Sequence, residues 1–177
     1  GLLDMAKDPK DPMHVYLYYS IPTDRPNFSH DMVLEEWLLR SQNPKRIRRL
    51  FRWPHPRMNH NGGSLHFDPQ DSDLLFLSVG DGGGAGDPFG PIGNAQNDRS
   101  RWGKIWVFDV REENPSPLMY TKGLRNFWRW SFDREGTIYG GDVGQDTYEG
   151  VHVINRLGEN HGWRAWENGH IYDRELA

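Results

Sequence analysis

A single histidine, His60, stands between two asparagines in Met58-Asn59-His60-Asn61-Gly62-Gly63-Ser64-Leu65, at the mouth of the strand-like run Leu65-His66-Phe67-Asp68. Imidazole exchanges protons near neutral pH, so a histidine framed by small residues is a candidate general base. Such a base needs a partner that fixes its tautomer, and Asp81 in Val79-Gly80-Asp81-Gly82-Gly83 is a candidate. Arg125, in Gly123-Leu124-Arg125-Asn126, offers a cation for a developing oxyanion. Gly62 and Gly63 let a flat ligand approach the backbone closely. Each residue also has a plainer reading. His60 among Asn and Gly can cap a turn, and Asp81 can be a turn residue. Arg125 can be a structural guanidinium stacked on Trp128 or Trp130.

These residues work together only if the chain brings their ends to one place, and an internal repeat supplies the means. Asp8-Pro9 and Asp11 recur as Asp68-Pro69 and Asp71, sixty positions later, and Phe67-Asp68 recurs as Phe132-Asp133. In each copy a turn rich in Asp, Pro or Gly is followed by an apolar or aromatic run, the pattern of a hairpin. Further strand candidates are residues 32–40, 46–53, 104–110 and 151–155. Residues 32–40 also fit a short helix, and strand is favoured because Asn43-Pro44 interrupts soon after. Repeats of about 60 residues with several short strands each predict blades of a β-propeller, with a β-sandwich as the alternative. About three such units fit in 177 residues, so the fold class is all-β, about three blades of a larger propeller, in a single partial domain over residues 1–177. The expectation is that the ring does not close within this chain.

The hairpins then set a register. If residues 62–68 and 73–80 pair around a turn at 69–72, Asp68 faces Asp73, paired numbers sum to 141, and His60 lies opposite Asp81. For the third copy, Asp133 facing Thr137 gives a sum of 270, which sets Arg125 opposite Gln145 and Asn126 opposite Gly144. Equivalent hairpin ends of a propeller converge near one mouth of its central channel, so the two groups are expected to share a cavity.

Other signals narrow the classes. Net charge is −4, which gives no bulk attraction to nucleic acid or acidic membranes. No apolar run approaches the roughly 18–20 residues that span a bilayer. Cysteine is absent, so disulfides and thiolate metal sites are excluded. The Gly-rich stretch 80–97 lacks the Lys-Ser/Thr of a phosphate loop and reads as a long mobile loop over one face. Residues 141–150 group Asp142, Asp146 and Glu149 among glycines, either hard oxygen ligands that suit calcium or a solvated acidic loop. The histidines show no HExxH spacing, which removes the case for zinc. Asn27-Phe28-Ser29 forms a glycosylation sequon. Arg46, Arg48, Arg49 and Arg52 read as a basic strand face. The opening phrase GLLDMA is strand-like and reads as a cut into a longer protein.

Several phrases occur in a known order: GLLDMAKDPKDPMHVYLYYS, NHNGGSLHF, GDGGGAGDPFG, GNAQN, GKIWVFDV, GLRNFWRWSFDRE, GDVGQDTYEGVHVI and ENHGWRAWE. Together they resemble the glucose/sorbosone dehydrogenase family, which includes soluble quinoprotein sugar dehydrogenases and Hedgehog-interacting-protein-like proteins. The resemblance implies a six-bladed β-propeller, extracellular or periplasmic, binding pyrroloquinoline quinone (PQQ) and calcium on its axis and oxidising aldoses at the anomeric carbon. It implies that His60 is the base and Asp81 its partner, that Arg125 and Asn126 contact the cofactor with His60, and that the Gly144 and Gln145 carbonyls are calcium ligands. It also implies that the open blade edges meet the rest of the propeller or another chain. There are departures: Phe127 replaces a proline, Glu149-Gly150-Val151-His152 replaces a Glu-Glu-Ile-Asn phrase, and the segment after the GKI strand is short. Such departures leave room for a propeller that serves as a non-catalytic binding or structural subunit.

Overall fold

The computed structural model describes residues 1–40 and 42–177. It contains three main sheets in chain order. The first is a four-stranded meander of β1 (Leu2–Lys7), β2 (His14–Ile21), β3 (His30–Leu38) and β4 (Lys45–His55). The second contains β5 (Leu65–Phe67), β6 (Leu74–Val79), β7 (Lys104–Asp109) and β8 (Leu118–Lys122), with a four-residue helix α1 (Gly93–Gln96) in the β6–β7 connection. The third holds β9 (Phe127–Phe132), β10 (Ile138–Asp142) and β11 (Gly150–Ile154). A short β12 (Glu159–Asn160) adds in parallel to β8, and β13 (Trp166–Glu167) pairs with β14 (His170–Ile171). All four strand candidates read from the sequence are strands. Among the described residues no helix is long and apolar enough to cross a membrane.

The middle sheet buries both faces, and strand alternation decides which core each side chain joins. Leu75, Leu77 and Val79 of β6, with Trp106 and Phe108 of β7, pack against Tyr16, Tyr18, Leu34, Phe51 and Trp53 of the first sheet. Phe76, Ile105 and Val107, on the opposite face of the same two strands, pack against Phe127, Trp130, Ile138 and Ile154 around the third sheet. Aromatic side chains fill the wedge between sheets: Phe51 stacks on Trp53 at 3.9 Å, and Trp53 meets Trp102 and Trp106 edge-on at 6.2 and 5.8 Å. An aromatic-rich, aliphatic-poor chain can therefore fill two cores.

The sixty-residue repeat is a repeated turn. Asp8 Oδ1 accepts the amides of Lys10 and Asp11, Asp11 Oδ1 accepts that of Met13, and the Asp8 amide donates to His14 O at 2.9 Å. Asp68 and Asp71 do the same with Gln70, Asp71, Asp73 and Leu74. These side-chain bonds close a five-residue loop. Asp68 therefore faces Leu74 rather than Asp73, and pairs such as Leu65↔Leu77 and Phe67↔Leu75 sum to 142 where 141 was expected. The third hairpin keeps its expected register from Ile138↔Phe132 to Gly141↔Arg129, with the Asp133 amide donating to Thr137 O at 2.9 Å, but a bulge before Asp142 pairs Asp142 with Phe127 and brings Asn126 opposite Val143 rather than Gly144. The repeated turns also join neighbouring sheets. Lys10 reaches Asp73 of the next turn, and Gln70, its equivalent sixty residues on, donates to Glu135 O at 2.9 Å. The basic face of β4 is matched by acids of β3: Arg46 and Arg49 bind Glu35, Arg48 binds Glu36, and Arg52 binds Asp31.

Candidate functional site

At the end of the hairpins opposite those turns, the chain crowds its backbone. His60 has a left-handed backbone (φ +56°), uncommon for a residue with a side chain and frequent at strained functional positions. A Cβ on Gly80 would lie 2.2 Å from His60 O, and one on Gly62 would lie 2.7 Å from Gly80 N. Only glycine lets these two segments touch. Asn61, not His60, closes the local turn, through Nδ2 to Met58 O at 3.2 Å.

That contact places the His60 side chain on Asp81. Nδ1 lies 2.7 Å from Asp81 Oδ1. A carboxylate only accepts, so Nδ1 carries the proton and Nε2 is the open nitrogen. Asp81 is fully buried, and its carboxylate also accepts the Gly83 amide at 2.9 Å and the Trp163 indole at 2.8 Å. The register shift described above does not separate the pair, because the glycine approach spans it.

Asp81 also ties this hairpin to the next one. Its amide donates to Arg125 O at 2.7 Å, and the Gly62 amide donates to Asn126 Oδ1 at 3.2 Å. Buried Asp142 accepts the amides of Arg125 and Asn126 at 2.9 and 2.6 Å and so fixes the start of the third sheet. The Arg125 guanidinium donates to Val143 O at 2.8 Å and to Gln145 Oε1 at 3.0 Å. It lies over the Trp163 ring, 5.5 Å from the centroid, and not over Trp128 or Trp130 as the sequence suggested. The reason is topological: Trp128 lies under Arg129, and Trp130 turns into the core. Behind Arg125, the space bounded by Asp142, Gly144, His161 and Glu167 amounts to about 10 Å³, room for one water at most. The guanidinium is backed by packed protein.

Gly144 and Gln145 sit beside this guanidinium on a loop organised by one carboxylate. Glu167 Oε1 accepts the amides of Gln145 and, at 2.9 Å, Asp146. Burial raises the Glu167 pKa, but the four amides of residues 145–148 outweigh it and hold the carboxyl below its usual range. In a trans peptide the carbonyl points opposite to the following N–H. The carbonyls of Gly144 and Gln145 therefore both turn away from Glu167, and neither accepts a hydrogen bond among the described residues. A carbonyl oxygen without a hydrogen-bond partner is a ligand type that suits a hard cation. Among the described residues no cluster of three or more His, Asp or Glu side chains could hold a metal. Asp142, Asp146 and Glu149 instead serve the backbone or face solvent.

The Gly-rich stretch 80–97 is pinned rather than loose. Asp87 accepts the amides of Asn94 and Ala95 at 2.8 Å each, Lys104 Nζ donates to the carbonyls of Asn94, Ala95 and Trp102, and Arg164 donates to Asp87 O. Burial, then the Asp81 charge, pushes the Asp87 carboxyl up to about 6, and burial pulls Lys104 down to about 7. Asn94 Nδ2 donates to Asp81 O at 2.8 Å, so the stretch serves the candidate base. The sequence reading missed Trp163, Glu167 and Asp87. Two of them lie in the quoted phrase ENHGWRAWE, more than sixty residues from Asp81, where no local pattern announces a partner.

Known proteins resemble this chain in sequence and in fold. The HIPL1 protein of Arabidopsis thaliana is 34% identical over 78% of this chain and 23% of its own length, and the HIPL2 protein is 35% identical over 71% and 21%. This chain thus spans under a quarter of the curated relatives. Among solved structures, the PQQ-bound aldose sugar dehydrogenase of Streptomyces coelicolor matches with TM-score 0.70 and 24% identity, over 94% of this chain and 49% of that one. The apo aldose sugar dehydrogenase of Escherichia coli matches with TM-score 0.75 and 20% identity, over 94% and 50%. The fold is accordingly all-β, about three blades of a six-bladed β-propeller, half of each solved chain. The model of the family described as Glucose / Sorbosone dehydrogenase matches from residue 1 to residue 177, and the chain belongs to that family.

Proposed function

We propose that this chain is part of a quinoprotein dehydrogenase that oxidises an aldose at its anomeric carbon to the lactone, with His60 as general base. The observation that supports this most is the 2.7 Å hydrogen bond from His60 Nδ1 to a buried Asp81, made beside Arg125. In this reading His60 Nε2 takes the anomeric hydroxyl proton as the C1–H bond gives up hydride. Asp81 holds the tautomer and stabilises the imidazolium that forms. Arg125, backed by packed protein, and Asn126 orient the cofactor and offset developing negative charge without reorganising. The Gly144 and Gln145 carbonyls hold calcium. PQQ and calcium, when bound, supply the hydride acceptor and the cation that polarises it. The family resemblance supports an extracellular or periplasmic setting and an aldose as substrate. The remaining blades, or another chain, would cover the open edges.

A non-catalytic binding propeller is the second reading. It is favoured by one observation: the relatives at 34–35% identity carry HIPL names, while the two aldose sugar dehydrogenase structures are 24% and 20% identical. The test is reconstitution of the full-length protein with PQQ and calcium, followed by dye reduction with aldoses. Aldose-dependent turnover that His60→Ala abolishes supports the enzyme. A folded protein with no turnover supports the binding reading.

A further inference from the structure

Trp163 is the side chain that touches both halves of the proposed site. It comes from the segment after the third sheet and is 2% exposed. Its indole N–H donates to Asp81 Oδ2 at 2.8 Å, while the face of the same ring lies against the Arg125 guanidinium. The residue is held from behind. Its amide donates to Gly123 O at 3.0 Å, Gln96 Nε2 donates to its carbonyl, and Tyr172 packs at 4.9 Å.

We infer that Trp163 is a positioning residue that tunes the basicity of His60 through Asp81 and holds the plane of Arg125, an inference that rests on the reading of the site proposed above. Asp81 takes three N–H donors, from His60, Gly83 and Trp163, and is itself fully buried. Each donor offsets part of the carboxylate charge. Without the indole donor, more negative charge faces His60 Nδ1, the imidazolium becomes more favourable, and Nε2 is occupied by a proton at a higher pH. The donor thus keeps Nε2 open as a base.

Few other charged groups face His60. His55 approaches its carbonyl at 3.4 Å, with His30 stacked behind at 4.7 Å, and burial keeps His55 neutral down to about pH 4. Arg125 meets the Asp81 amide through its own carbonyl, and Asp87, which titrates near 6, acts on Asp81 by charge. All of these are the same in the parent protein and in a Trp163→Phe variant, which keeps the ring face and loses only the donor.

The test is an NMR titration of the His60 ring in the full-length protein without cofactor. Trp163→Phe should raise the His60 midpoint by about half a unit or more. A folded variant with an unmoved midpoint overturns the inference and leaves Trp163 as core packing. If the variant does not fold, the parent protein still decides. The Trp163 indole N–H resonance should move with the His60 midpoint, and an indole signal flat through that range overturns the inference. Neither readout needs turnover, so a protein that fails to oxidise sugar can still show the coupling, and an active one can lack it.

Discussion

The two ends of the same hairpins follow opposite rules. At one end the chain repeats itself: Asp8 and Asp68 close the same turn sixty residues apart and make the same backbone bonds. At the other end nothing repeats. One sheet offers a left-handed histidine against glycines, the next an arginine clamped by two carbonyl oxygens. The repeated end is built from local side-chain-to-backbone bonds that any copy can make alone. The unrepeated end is built from contacts between copies, such as Asp81 N to Arg125 O and Gly62 N to Asn126 Oδ1. Fold lives in what the repeats share, and the candidate chemistry in where they differ.

The sharpest way to break this contrast is to remove the chemistry and keep the fold. His60→Ala should lower kcat of the reconstituted full-length protein by about 10³-fold or more, in line with the loss of a positioned general base. The variant should still fold, at a cost of about 1–3 kcal/mol, because buried Asp81 gives up one of its three donors. Turnover that survives would remove His60 as the base and favour the plainer turn reading.

Acid should act through buried imidazoles at the unrepeated end. Burial lowers His55 from 6.5 to about 4, so the unfolded chain takes up its proton first as pH falls. Stability contributed by neutral His55 is full above pH 6.5 and is lost as pH falls from there through 4. The loss is on the order of 3 kcal/mol at about 1.4 kcal/mol per unit. His161, also lowered to about 4 by burial and then by the charge of His152, acts in the same direction. Denaturant midpoints measured from pH 7 to pH 4 should fall, and His55→Phe should flatten part of that slope. An unchanged slope in the variant would mean that His55 is protonated, or solvated, in the folded protein.

Two glycines then sharpen the contrast in backbone terms. Gly62 (φ +60°) meets the Gly80 backbone 2.7 Å from where a Cβ would be, whereas Gly136 (φ +88°) meets only the Gln70 amide, at 3.7 Å. Gly62→Ala should cost about 2–3 kcal/mol and also lower turnover, because the His60 segment must move. Gly136→Ala should cost about 1 kcal/mol, the left-handed backbone alone, with turnover unchanged. Equal losses from both would contradict the claim that close backbone approach is particular to the functional end.

What could be read from sequence follows the same division. Strands were legible because aromatic and β-branched runs alternate between punctuating turns, and the repeat was legible because its turns use side chains a few residues apart. Even so, the Asp68 turn holds one residue more than a simple hairpin count, since the bonds from Asp68 and Asp71 lengthen it. His60 and Asp81 were legible because glycine and asparagine bracket them. Trp163 and Glu167 were not, because their partners lie in other sheets and the bonds they make exist only once three sheets have assembled. The pinning of residues 80–97 was hidden for the same reason: a stretch rich in glycine looks loose until Asp87 and Lys104 are seen to take its amides and carbonyls.

The smallest effect tests whether the repeated turns are equivalent in energy as well as in geometry. Asp68→Ala removes the acceptor for the Gln70 and Asp71 amides, and Asp8→Ala removes it for Lys10 and Asp11. These amides are near solvent, so water replaces much of what is lost and each change should cost about 1 kcal/mol. Both turns also reach the next one, through Lys10 to Asp73 and through Gln70 to Glu135 O. Because the two aspartates accept the same pair of amides, the two costs should agree within about a few tenths of a kcal/mol. Turnover of the full-length protein should be unchanged in both. If Asp68→Ala instead lowers turnover without lowering the denaturant midpoint, the repeated end communicates with the site, and the separation of scaffold from chemistry fails.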